Sequence, residues 1–217
     1  MKKITAQITT QVTIFTQVTI LMSISLLSFS ALSFSTIAFS HATIDEQASQ
    51  PLSLTELTTF LGDVSPLDLI HWKVGDTMEY GISLGGNGNL GTMSKSVFKD
   101  EGAALWIRQQ MKLMTQNENI EILINKADGK VLKLIRNGQE QQIPDDKIEI
   151  ISQDYTQVTV PAGTFDVLHI VAKTKQVSKI ELWANPQAVV MDGVVKQSMA
   201  TGFGEIVMNL TRFKQGQ

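Results

Sequence analysis

No cysteine occurs among the 217 residues. Disulfides, thiolate nucleophiles and cysteine-based zinc sites are excluded together, so stability must come from ordinary core burial. Histidine is almost as scarce. Only His71 and His169 lie beyond the amino-terminal stretch, and neither belongs to a ligand-spaced motif such as H-E-x-x-H. Basic residues are few and scattered, with 18 Lys+Arg against 21 Asp+Glu. Nucleic acid and anionic lipid surfaces call for clustered Lys/Arg, so neither is an expected partner. The G-x-S-x-G spelling occurs once, at Gly81-Ile82-Ser83-Leu84-Gly85, inside a period-two segment and not at a strand-to-helix elbow. The serines sit in ordinary strand or loop contexts, leaving a hydrolase built on His71 or His169 as a third-ranked reading.

Acidic residues are missing altogether before Asp45, and Lys2 and Lys3 precede a long apolar and Ser/Thr-rich run that ends at Phe39. Ser40-His41-Ala42 then supplies small residues at the −3 and −1 positions of a cleavage site. Residues 1–42 read as a secretory signal peptide cut between Ala42 and Thr43, which predicts a periplasmic or secreted protein. The rival is an anchor over Val18 to Phe39, long enough for a hydrocarbon layer of roughly 30 Å. Its frequent Ser and Thr, among them Thr19, Ser23, Ser25 and Ser28, argue against stable insertion. Cleavage leaves no transmembrane segment and, without Lys2 and Lys3, shifts the formal charge from −3 to −5.

Residues 43–52 are polar and lack periodicity, which predicts a flexible linker. A single domain follows over 53–217. Ser53-Leu54-Thr55-Glu56 is a capping box, and Leu54, Leu57 and Leu61 share one face at helical spacing before Gly62. These predict a short amphipathic helix.

Beyond Trp72 the period becomes two, the mark of strands with one buried face. Met78, Tyr80, Ile82 and Leu84 alternate with polar or small residues. Leu105, Ile107, Met111 and Leu113 do the same, with Gln109 as the exception on the apolar side. Ile120, Ile122 and Ile124 follow, then Phe165 to Val171, where both faces are apolar, and Ile206, Met208 and Leu210. Asp128-Gly129, Asn137-Gly138 and Asp192-Gly193 predict two-residue hairpin turns. Val160-Pro161-Ala162-Gly163 predicts a type I turn. The fold expected is mainly β: a curved antiparallel meander, half-barrel-like, of about nine or ten strands, covered by the amino-terminal helix.

Gly85-Gly86-Asn87-Gly88-Asn89-Leu90-Gly91 suggests a phosphate loop in composition only, because an alternating strand and not a helix follows it. Asp145-Asp146 with Asp154 lacks the loop spacing of a dedicated calcium site. The methionines are dispersed over several strands, which suits core filling better than copper. No metal and no cofactor is expected.

Trp72-Lys73-Val74-Gly75-Asp76, Val160-Pro161-Ala162-Gly163-Thr164-Phe165, Leu182-Trp183 and Gly193-Val194-Val195-Lys196 stand in an order and spacing that resembles a group of bacterial extracytoplasmic domains of unknown function. That group is similar to the half-barrel lipoprotein carriers of the LolA/LolB type. The resemblance implies a curved sheet and short helices around an apolar cavity. It implies no catalytic residue.

The leading expectation is therefore a non-catalytic envelope protein binding an acyl chain, a lipid or a lipidated protein in the concave face. Its lining would come from Leu54, Leu57, Leu61, Met78, Tyr80, Ile107, Met111, Leu113, Ile122, Phe165 and Trp183. The alternative is an assembly protein that meets an envelope partner through a sheet edge or its convex face.

Overall fold

The computed structural model describes residues 70–85, 88–114, 116–143, 148–202 and 204–217. The expected signal peptide, its Ala42/Thr43 cleavage point, the linker and the helix bearing Leu54, Leu57 and Leu61 lie outside the described residues, as do Asp145 and Asp146.

Eleven strands form: β1 Thr77–Leu84, β2 Gly88–Asp100, β3 Ala104–Leu113, β4 Gln116–Asn125, β5 Val131–Arg136, β6 Gln139–Gln141, β7 Glu149–Val160, β8 Gly163–Lys173, β9 Ile180–Ala184, β10 Val194–Thr201 and β11 Gly204–Lys214. They make one sheet in the order β6-β5-β4-β3-β2-β1-β11-β10-β9-β8-β7. Every pairing is antiparallel. No helix occurs among the described residues. The count exceeds the expected nine or ten partly because β6, the three residues Gln-Glu-Gln, has no apolar alternation to reveal it.

Chain length forces this sheet to curl. Laid flat, eleven strands spaced about 4.8 Å apart would hold β6 and β7 at edges roughly 48 Å from each other. The chain passes from Gln141 to Glu149 in eight steps, a reach of at most about 28 Å. A second observation agrees. The Ala162 amide at the β7–β8 tip donates to the Leu210 carbonyl of β11 at 3.0 Å, although β9 and β10 lie between β8 and β11. The sheet is nonetheless not closed, since β6 and β7 do not pair with each other.

The inner face holds the core. Register aligns Tyr80 with Met93 and Leu210, then Met93 with Met111 and Ile107 with Ile122. Successive strands thus add one apolar row after another, as period two requires. All of these side chains are buried. The described residues packed over them include Ile70, Trp72, Val160, Val189 and Met191. Both Val167 and Leu168 are buried, as expected for a strand apolar on both faces.

Turn chemistry explains several local choices. Asn137-Gly138 is a true two-residue hairpin, with Arg136 paired to Gln139 and positive φ at both loop residues. Asp128-Gly129 instead lies in the five-residue connection 126–130. Asp192-Gly193 ends the nine-residue connection 185–193. Both depart from the two-residue turns expected, because each Asp-Gly sits inside a longer connection between its strands. Gly163 pairs with Val160 across the tip and has a φ of +141°. Of the glycine-rich segment, Gly88 to Gly91 already belong to strand β2, which pairs with β1.

Asp76 accounts for the tryptophan-glycine-aspartate opening. Its buried carboxylate accepts from the Lys73 amide and from the Gly216 amide, each at 2.8 Å. One side chain thereby shapes the turn into β1 and fastens the segment that follows β11.

Candidate functional site

Polar residues stand at inward positions of the period-two pattern, among them Lys95 on β2, Gln109 on β3 and Gln197 on β10. Lys95 lies between Met93 and Val97, two buried residues of its own row. Its cross-strand neighbours are Met78 on β1 and Gln109 on β3. Gln197 faces Leu182 and Met208. All three are buried.

The Lys95 ammonium donates to the Asp192 carboxylate, and the two side chains are 2% and 1% exposed. Asp192 arrives on the 185–193 connection, whose shape follows from Asn185. The Asn185 side-chain oxygen accepts from the Gln187 and Ala188 amides, and its backbone pairs with Gly193 and Val189. Gly193 has a φ of +67°, and a Cβ there would fall 2.3 Å from the Pro186 nitrogen. Only glycine permits that return, which places Asp192 beneath the sheet.

Next to the ion pair, the Tyr80 hydroxyl donates to the Val194 carbonyl at 2.9 Å. Burial, reinforced by the charge of Asp192, pushes that hydroxyl well above the ordinary tyrosine range. Gln109 is different. Its side-chain oxygen is buried without a hydrogen-bond partner among the described residues. Further along the same face, Arg136 donates to Glu118, closing the β4–β5 end with a second ion pair.

Such a set is not what stability alone would select. Moving two charges out of water costs several kcal/mol per ion, and apolar residues of equal volume often serve as well or better. The pair makes the centre of an apolar face locally polar yet formally neutral. It also fixes the 185–193 connection over that face.

Of the residues expected to line a cavity, Met78, Tyr80, Ile107, Met111 and Ile122 are buried on this face. Leu113 ends the same row, partly buried. Phe165 is half-buried at the β7–β8 tip, its ring 6.4 Å from that of Phe213. Trp183 is on the opposite face from Leu182 and stacks on His169, ring centroids 4.5 Å apart and planes 9° from parallel. The Lys196 ammonium lies 4.6 Å from the Trp183 ring centre. Lys95, Asp192 and Gln197 were not anticipated. A lysine between Met93 and Val97 and a glutamine between Val195 and Met199 were the available signals for two of them.

His169 occupies this outer face with both ring nitrogens against carboxylates, Asp154 on one side and Glu181 on the other, each at 3.0 Å. Burial opposes ionisation of Glu181, but hydrogen bonds from Lys179 and His169 outweigh it and hold the carboxyl below its usual range. No serine hydroxyl is bonded to His169 among the described residues, and Ser198 donates to Glu205 at 2.7 Å. His71 is exposed. Among the described residues no group of three or more His, Asp or Glu is arranged to hold a metal ion.

No family model matches the chain, and no curated protein does. Solved structures with some likeness include a candidate lipoprotein from Parabacteroides distasonis, at 10% identity over 67% of this chain and 97% of that one, TM-score 0.41. Another is a candidate exported protein of YmcC-like fold from Bacteroides fragilis, at 10% identity over 67% and 98%, TM-score 0.41. MucB aligns at 11% identity over 65% of this chain and 54% of its own, TM-score 0.37. The functional reading rests on the chain's own residues.

Proposed function

We propose that this chain is an exported, non-catalytic bacterial envelope protein that holds an apolar ligand, such as an acyl chain, a lipid or a lipidated protein, against the inner face of its sheet. One observation carries the reading. The inner face is a largely apolar buried surface, and the described residues gathered on it from outside the strands, Ile70, Trp72, Val189 and Met191, belong to no helix. A cover made that way can be displaced at less cost than a packed layer. Met78, Met93, Met111 and Met208 on that face are deformable and suit ligands of variable shape. The non-catalytic part is supported by the engagement of Lys95 with Asp192 and of His169 with two carboxylates. Export is supported by the Lys2/Lys3 start and the Ser40-His41-Ala42 exit.

Protein recovered from the envelope fraction should start at Thr43 and carry extractable lipid in native mass spectrometry. After delipidation it should bind a fluorescent fatty-acid probe saturably. Protein that is ligand-free in every preparation and ignores the probe would remove this reading.

A specific feature favours a second one. Strand β7 runs for 12 residues, pairs among the described residues with β8 alone, and exposes Ile150, Ile151 and Tyr155. Free edges of that length are templates for another strand. An envelope partner adding a strand there would be blocked by Tyr155→Pro, whereas ligand uptake at the inner face would not.

A further inference from the structure

We propose that Lys95 and Gln109 form the polar end of the ligand site and select a hydroxyl group, so that the preferred ligand is a neutral amphiphile with an alcohol head. The inference rests on the apolar-ligand reading and adds the chemistry of the head.

The two residues are directly opposed across β2 and β3, which puts their Cβ atoms about 5 Å apart on the same face. Gln109 is 2% exposed, and its side-chain oxygen is an acceptor with no donor among the described residues. Such an atom bears a desolvation penalty that a buried acceptor ordinarily avoids. Lys95 has three N–H donors, and among the described residues Asp192 is its one hydrogen-bonding partner. A donor and an unmatched acceptor therefore stand side by side.

A hydroxyl is the small group that answers both, accepting from the Lys95 ammonium and donating to the Gln109 oxygen. A carboxylate answers only the first. It would also stand near Asp192, whose charge already balances Lys95. An ether or ester has no proton to give Gln109. Met78, Met93, Ile107 and Met111, which flank the pair along β1, β2 and β3, would receive the alkyl chain. Water has the same donor and acceptor capacity as an alcohol, and the test separates the two.

Displacement of N-phenyl-1-naphthylamine from the delipidated exported chain by 1-decanol, decyl methyl ether and decanoate distinguishes the possibilities. Wild type should bind decanol at least about 10-fold more tightly than the ether, because a site built to bond a hydroxyl rejects the analogue lacking it. Gln109→Leu removes a buried acceptor from an apolar row, so the variant should fold. It should bind the ether as wild type does while its preference for decanol falls below about 2-fold. Equal binding of decanol and ether by wild type would assign the polar pair to water and overturn the hydroxyl inference, leaving the apolar-ligand reading intact. Tighter binding of decanoate would overturn it through the charge argument. A wild type that takes up neither the naphthylamine nor any of the three would end both.

Discussion

Removing one partner of the Lys95–Asp192 pair tests whether the centre of the sheet is as dry as its burial implies. In Lys95→Met the side-chain stem is conserved in length, so little cavity is created, and the change isolates the charge. Asp192, 1% exposed, would then remain ionised without its cation or take up a proton to avoid it. Two unit charges about 4 Å apart interact by about 4 kcal/mol at an effective dielectric of about 20. Broken buried pairs typically lose 3–5 kcal/mol. Against a total stability of about 5–15 kcal/mol for an ordinary domain, that is a large fraction. Asp192→Asn should cost a similar amount, because it strands the ammonium instead. The double variant removes both charges and should recover to within about 1 kcal/mol of wild type. Urea unfolding followed by circular dichroism and tryptophan fluorescence gives all four stabilities, provided the two signals coincide and the slopes agree. Single variants that lose under about 1 kcal/mol, or a double variant that loses the sum of both, would refute the picture of a desolvated, coupled pair.

Other perturbations read separate parts of the fold. Gly163→Val should lower stability by about 1–3 kcal/mol through backbone strain at φ +141°, since the nearest atoms to an added Cβ are 3.6 Å away and leave room for it; an unchanged thermal midpoint would contradict this. Gly193→Ala should be worse, because its Cβ meets backbone at 2.3 Å, and the loss should be visible in the same melting experiment. Tyr80 keeps its proton in the folded state above the ordinary value of 10.0. Its contribution is present in full below that pH and is lost as pH rises through the folded value, at up to 1.36 kcal/mol per pH unit. In Tyr155→Phe, where Tyr80 is the remaining tyrosine, phenolate absorbance should appear together with loss of the strand signal and not before it. Glu181 behaves in the opposite sense. Its folded value lies below 4.5, so its contribution is present above that pH and is lost as pH falls through the folded value. Carboxyl NMR titration should find the Glu181 value raised in Lys179→Met, and no rise would mean that the Lys179 bond is not what depresses it.

The strands that bury one face were legible because alternation records burial directly. Met78 to Leu84, Leu105 to Leu113 and Ile120 to Ile124 all became strands with the apolar members buried, apart from the strand-end residues Leu84, which is exposed, and Leu113, which is partly buried. The edges were not legible in that way. In β7 eleven of twelve residues are at most half-buried, and in β6 all three are exposed, so neither carries an inward row. Edge length also explains why the curled sheet stays open. A three-residue β6 offers a twelve-residue β7 almost nothing to pair with, even though the chain between them holds the two arms of the sheet within reach. Among the described residues no second sheet lies over the inner face of this unclosed sheet and its long edge strand stays unpaired on one side, and that is the physical root of both functional readings.

The candidate site was legible only as an irregularity. Gln109 was visible as a polar residue in an apolar row, and the same test applied to β2 and β10 points to Lys95 and Gln197. Asp192 could not be found this way, because it lies in a connection where no periodicity constrains burial. Its position is set by Asn185 and Gly193 acting on the backbone of 185–193. The charge balance of the inner face is thus divided between two kinds of information. Lys95 is fixed by strand register, and its counter-ion by the conformation of a loop. A change that shifts the loop while leaving the strands intact would expose an uncompensated ammonium at the centre of the apolar face. The loop's shape and the polarity of the site are therefore one property of the molecule.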